Sequence, residues 1–209
     1  MTIDEPTAGE RLIRGILPEN PIFRQLLGLC PALAVSNSVE SAMTMAVCVI
    51  VVLLSSNVIT SLIRSLVKPH LRILLFTGII AAFVTIVDRM LGAYYWQMSK
   101  ALGPYVPLII VNCIVLCRCE VCASKQGVWP AAADALGQGL GFGVALAVVS
   151  TIRELLGSGT WLGMRVMPEY WPAWVIMLLP PGSFIVLGLL IGLVNWLPEL
   201  RAKRLQAAK

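Results

Sequence analysis

Long apolar stretches separated by short polar ones dominate this chain. They run over residues 26–35, 42–63, 73–87 with an extension to 96, 101–117, 135–152 and 171–197. A helix that crosses a bilayer needs about 20 apolar residues, so the pattern predicts an all-α integral membrane protein with six transmembrane segments. Segments one and four are short and carry prolines: Pro31 in the first, Pro104 and Pro107 in the fourth. Proline removes a backbone donor and interrupts the helical ladder, so both are predicted as interrupted half helices. Irregular backbone at membrane depth persists only where it is buried in protein or lines a cavity. The two breaks therefore point to a site.

Composition agrees with this picture. Of 209 residues 58% are apolar and 13% charged, with a mean hydropathy of +0.84; soluble domains average about 45–50% and about 25%. The net charge of +5 does not call for nucleic acid, because the basic residues flank apolar segments, where they orient spans against lipid. With six crossings and a cytoplasmic N-terminus, Arg11, Arg14, Arg24, Arg64, Lys68, Arg72, Arg118, Lys125, Arg201, Lys203, Arg204 and Lys209 fall inside, and Arg89, Lys100, Arg153 and Arg165 outside. This bias predicts that both termini are cytoplasmic. Residues 1–21 then form a cytoplasmic N-terminal segment, 22–197 the membrane domain and 198–209 a basic tail. The first twenty residues have no apolar core of a leader, so a cleaved signal peptide is not expected. A lone His70 cannot supply both axial ligands of a bis-histidine haem, and no Ser/His/Asp cluster is present to run hydrolysis.

A weak internal repeat divides the membrane domain. Thr60-Ser61-Leu62-Ile63-Arg64-Ser65-Leu66 closes the second segment and Val149-Ser150-Thr151-Ile152-Arg153-Glu154-Leu155 the fifth, while Cys30 and Cys113 occupy the interrupted segments before them. The halves are about 22–96 and 101–197. Three crossings per half is an odd number, so the second half enters from the opposite face and the pair is inverted.

Six cysteines lie at 30, 48, 113, 117, 119 and 122, mostly within apolar runs where disulfides are not expected. In inverted halves Cys30 and Cys113 approach the bilayer centre from opposite sides. Two thiolates in hydrocarbon require a cation, and soft thiolates select zinc, Cu(I) or iron–sulfur clusters. A cluster takes about four cysteines. One arrangement draws on Cys113, Cys117, Cys119 and Cys122, but at 100° per residue a continuous helix points the last two away from the first two. The other, preferred here, pairs Cys30 and Cys113 with two thiolates from a partner subunit. Cys48 is expected to be a plain core residue.

Several motifs carry a resemblance. Asn20-Pro21-Ile22, Leu26-Leu27-Gly28-Leu29-Cys30-Pro31-Ala32-Leu33-Ala34-Val35, Pro107-Leu108-Ile109-Ile110-Val111-Asn112-Cys113-Ile114-Val115, Gly139-Leu140-Gly141 and Arg153-Glu154-Leu155-Leu156-Gly157 resemble the RnfE/NqrD family. Its members are membrane subunits of the Rnf electron-transport complex and of the sodium-pumping NADH:quinone oxidoreductase. The likeness spans Asn20 to Trp196. Leu179-Pro180-Pro181-Gly182-Ser183 is closer to the Rnf branch, whereas Glu154-Leu155-Leu156-Gly157-Ser158-Gly159 is shared with the sodium-pumping branch.

The resemblance implies a six-helix inner-membrane subunit with inverted halves. It would pair with a homologous membrane subunit of opposite topology, of the RnfA/NqrE type, and share with it an intramembrane [2Fe–2S] cluster. The family's ligands fall on Cys30 and Cys113. Flavin-bearing and iron–sulfur subunits complete such complexes and carry the NADH and ferredoxin chemistry, so this chain would be one part of an ion-translocating oxidoreductase without a complete active site. Cys117, Cys119, Val121 and Cys122 depart from the family's usual Gly, Ala, Ala and Phe, and no cluster role is carried onto them. The rival reading is a secondary transporter, since inverted repeats and broken helices mark that class too.

Three further features bear on function. Asp88, at the end of the third segment, is a candidate acid for an ion path, although Tyr94-Tyr95-Trp96 nearby suggests headgroup level. Arg118 and Glu120 read as local pairing. Gly137, Gly139, Gly141 and Gly143 lie in an apolar run with no strand before them, so they predict close helix contact rather than a nucleotide loop. Ser158-Gly159-Thr160 lacks the alanine of the flavin-attachment sequence, and no flavin is expected.

Overall fold

A computed structural model describes residues 15, 19–65, 67, 69–162, 164–165 and 174–207. Apart from one small hairpin, their regular structure is helical. Four helical stretches are long and apolar enough to cross a membrane: Val39–Ile63, Arg72–Tyr94, Val106–Ala123 and Val128–Gly157. Pro180–Trp196 is a shorter apolar helix. Most of the N-terminal segment lies outside the described residues.

The centre of the molecule is the pair α2, Val39–Ile63, and α6, Val128–Gly157. Ser38 caps α2 by accepting the Ser41 N–H, with Glu40 in the first turn, so an orphan donor and the positive helix end are both answered. Pro130 stands in the first turn of α6, where no intrahelical donor is lost. Glycines let the two helices approach closely: Gly143 leaves 3.4 Å to the Ala46 methyl for an added Cβ, and Gly139 only 2.8 Å to Ile50. The glycine run is thus a packing surface. Met45, Val49, Val52 and Leu53 of α2 join Phe142, Ala145, Leu146 and Val149 of α6 in one buried core.

Helix α3, Arg72–Tyr94, lies at the periphery. Only 17% of its apolar window is buried, against 56% for α6. Its outward face carries exposed Ile73, Leu74, Ile86 and Met90, an apolar surface suited to lipid rather than water. The third predicted segment stops at Tyr94, where a bend at Tyr95 separates it from α4, Trp96–Leu102. The fifth extends beyond its predicted ends, because helix continues through the polar residues at both termini of α6.

Both predicted interruptions are present. The first segment forms only the seven-residue α1, Leu29–Val35, preceded by turns in which Leu26 and Gly28 have φ of 56° and 76°. The fourth begins as a tight turn over Val106–Ile109, opens over residues 110–112, and resumes as α5, Cys113–Arg118. It then widens into a five-residue turn over Cys119–Ala123, with Ser124 N–H donating to the Cys119 carbonyl. The sixth segment is also split, into α7, Val175–Leu178, and α8, Pro180–Ala207. Prolines 180 and 181 follow the extended Leu179, consistent with a residue before proline avoiding helix. Strands β1, Thr160–Trp161, and β2, Met164–Arg165, pair antiparallel after α6.

Arg153 and Glu154, near the end of α6, tie these pieces together. Glu154 accepts the Val39 N–H at 2.7 Å and the Thr160 hydroxyl at 3.3 Å, joining the start of α2 to the hairpin. Glu154→Ala strands both donors, one of them buried, and is expected to cost about 1–3 kcal/mol. Thermal unfolding of the detergent-solubilised protein checks this, and Glu154→Gln, which keeps an acceptor, should lose less.

Candidate functional site

Cys30 sits in the first turn of α1 and Cys113 opens α5, so each thiol stands at the restart of a broken segment. The Gly28 N–H donates to Sγ of Cys113 at 2.9 Å. The two breaks therefore meet, although 85 residues separate them in sequence. The left-handed φ of Gly28 is a conformation that glycine alone adopts without cost, and it frees the N–H to turn toward the sulfur. A Cβ at this position would overlap Cδ1 of Ile114 and stand 3.1 Å from Cε2 of Phe142, so the cradle is also full.

Two asparagines shape the breaks in the same way. Oδ1 of Asn20 accepts the N–H groups of Ile22 and Phe23, and Oδ1 of Asn112 accepts that of Ile114. Each side chain thus closes a turn that would leave donors unpaired in an apolar setting. They differ at the amide nitrogen. Asn20 Nδ2 donates to the Gly141 carbonyl at 2.9 Å, whereas Nδ2 of Asn112, in a residue 2% exposed, has no partner among the described residues. A buried donor left open costs about 1–3 kcal/mol and invites an acceptor. It belongs to the residue beside Cys113.

Two of the remaining thiols bond elsewhere. Cys119 donates to Oδ1 of Asn57 and Cys122 to Oε1 of Gln126, each at 3.3 Å. Cys48 is buried in the core, as its plain surroundings predict. Among the described residues no group of three or more His, Cys, Asp or Glu side chains is arranged to hold a metal ion, so the all-internal four-cysteine arrangement is not formed. Cys30 is exposed and Cys113 half-buried.

Cys30 also lines a cavity of about 380 Å³ together with Asn37, Tyr105, Arg153 and Leu178. Asp88 is half-buried on α3 and does not line it. Arg118 and Glu120 do pair, but with other elements: Arg118 with Asp134 at 3.4 Å and with Gln25, Glu120 with Arg72 at 3.9 Å. The positive φ of Gly28, the open amide of Asn112 and the burial of Arg153 were not read from the sequence. Asn directly before Cys at a break, and a charged pair closing an apolar run, were the available signals.

Comparison with known proteins places the chain among membrane subunits. Residues 9–191 match the family model described as Rnf-Nqr subunit, membrane protein. The E component of the Na(+)-translocating ferredoxin:NAD(+) oxidoreductase complex of Acetobacterium woodii is 45% identical over 187 residues, covering 90% of this chain and 95% of that protein. The D component of the Na(+)-translocating NADH-quinone reductase of Aeromonas salmonicida is 40% identical, covering 90% and 92%. The E component of the ion-translocating oxidoreductase complex of Vibrio parahaemolyticus is 42% identical, covering 87% and 84%. Identity of that degree over about nine-tenths of the chain, with a family model matching residues 9–191, means that the chain belongs to the Rnf-Nqr family of membrane protein subunits.

Proposed function

We propose that this chain is the E-type membrane component of an ion-translocating ferredoxin:NAD⁺ oxidoreductase and that it holds half of an intramembrane [2Fe–2S] cluster. Cys30 and Cys113 would be its two ligands. The other two thiolates would come from a homologous membrane subunit of opposite topology, of the RnfA/NqrE type, with flavin-bearing and iron–sulfur subunits completing the complex. The reading includes six crossings in inverted halves, with both termini on the cytoplasmic face of the bacterial inner membrane. Relatives in both branches support the oxidoreductase class, and the Acetobacterium protein supports the ferredoxin branch.

The observation that carries the proposal is the hydrogen bond from Gly28 to Sγ of Cys113, which links the two breaks at one of the thiols. The donor set fits iron and sulfide: soft thiols in an apolar setting, an N–H aimed at one sulfur, and a second buried N–H₂ with no acceptor on Asn112. An exposed Cys30 leaves one thiol accessible to a partner. When bound, such a cluster takes up and releases one electron at a time. The chain's own part is to keep Cys113 oriented through Gly28, to hold the half helices apart from the lipid, and to keep water away with Ile114 and Phe142, both fully buried.

The test is chemical analysis of the complex purified with its membrane partners. Iron and acid-labile sulfide in equal amounts, with a visible absorbance that bleaches on dithionite, are expected. A pure, assembled complex with neither would leave a secondary transporter as the better reading.

A further inference from the structure

Arg153 is a buried cation whose described partners are all neutral. The residue is 2% exposed. Its Nε donates to the Met177 carbonyl, Nη1 to Oγ of Ser36, and Nη2 to the carbonyls of Leu178 and Leu179, at 2.6–3.2 Å. These bonds take up four of its five N–H groups but do not answer its charge. Adjacent Glu154 accepts from Val39 and Thr160, and none of the bonds described for Arg153 goes to it. A buried charge is expensive unless an opposite charge answers it, and inside a membrane domain that expectation is strongest.

Arg153 also borders open space. It lines the same cavity of about 380 Å³ as Cys30, with Asn37 and Tyr105 also in the wall. A cluster held by four thiolates is an anion, and its negative charge grows on reduction. A fixed cation beside it in a poorly polarisable setting favours the reduced form, and net charge around a cluster is one of the levers on its potential.

Resting on the iron–sulfur reading above, we infer that Arg153 is the countercharge of the centre at Cys30: a positioning residue that raises its reduction potential through the shared cavity. Its bonds to residues 177–179 hold the guanidinium in place rather than exhausting its role.

The experiment is a redox titration of the dithionite-sensitive signal in the whole complex, with iron content measured in each sample. Arg153→Gln, which keeps amide donors but no charge, is expected to retain iron. At a fixed applied potential it should lower the reduced-to-oxidised ratio about tenfold, about 59 mV for a one-electron couple. Arg153→Lys keeps the charge and should stay near the wild type. Equal shifts in the two variants, or none in either, reduce Arg153 to a structural tie and overturn the inference.

Asn37→Lys covers the case in which Arg153→Gln does not assemble. Asn37 is exposed and lines the cavity, so this change adds a cation without touching α6 or the α7–α8 break, and the ratio should rise. An unmoved ratio there also overturns the inference. Wild-type complex without iron would instead defeat the cluster reading itself, so the two failures are distinguishable.

Discussion

Cys30→Ser in the assembled complex is expected to strip the iron and sulfide and to stop electron flow, while the complex still forms. Serine has nearly the same shape but presents a hard oxygen that competes poorly for iron at a thiolate site. Because Cys30 is exposed in the isolated chain, the substitution should cost the fold no more than about 0.5 kcal/mol. Assembly and chemistry are therefore separable. Changes to residues that merely support a metal ligand cost roughly 10–100-fold in affinity or activity; loss of a ligand should exceed that in electron flux.

Cys113→Ser should behave alike, since a serine oxygen can still accept the Gly28 N–H. Cys117→Ser, at a half-buried position, should leave both iron and flux near wild type. Full iron in Cys30→Ser, or equal loss in Cys117→Ser, would mean that the ligands have been assigned to the wrong thiols.

Gly28→Ala is expected to produce the largest loss of stability from the smallest change. The left-handed backbone costs an ordinary residue about 1–2 kcal/mol. The new methyl must also displace Ile114 and crowd Phe142, and overpacking of a well-filled core typically costs about 1–3 kcal/mol. Together these amount to roughly 2–5 kcal/mol, visible as a lowered unfolding temperature in detergent. Because the same residue donates to Cys113, iron retention should fall with it. Adding Ile114→Val to Gly28→Ala should recover part of the crowding cost but none of the backbone cost. Strictly additive losses in the double variant would show that the two side chains do not compete for the same space.

How much of this could be read from the residues alone follows from where each signal resides. Pro31 and Pro107 announce irregular segments, and both segments are irregular, but each proline sits in the first turn of a helical piece, where it marks a start and costs no intrahelical donor. Three of the four long apolar stretches, Val39–Ile63, Arg72–Tyr94 and Val128–Gly157, were legible from hydropathy, whereas Val106–Ala123 reads as a short interrupted segment. Gly28 was not, because a glycine in an apolar run reads equally well as a packing residue, and only the tertiary position of Ile114 turns it into a requirement. Arg153 was assigned to the outer side of the membrane by counting charges, which is blind to whether a charge meets water or protein. Its neutral shell is built from Ser36 and residues 177–179, distant in sequence. The hairpin after α6 has strands of two residues each, too short for any alternation to register. The cysteines divide likewise: Cys119 turns to Asn57, a partner distant in sequence that spacing along a helix does not reveal, whereas Gln126 follows Cys122 at the four-residue spacing that it does.

The charged residues of α6 also act as a depth gauge. Nineteen positions separate Asp134 from Arg153, about 28 Å of helix at 1.5 Å per residue, and the hydrocarbon layer is about 30 Å thick. The full 30-residue helix, about 45 Å long, cannot fit that layer even at the roughly 40° limit of observed tilts. An upright α6 would instead bring Asp134 toward one boundary and Arg153 with Glu154 toward the other. A thicker bilayer would draw one of these anchored charges toward the acyl chains, so lipid chain length becomes a mechanical load on the same residues that fasten the hairpin and the last helix.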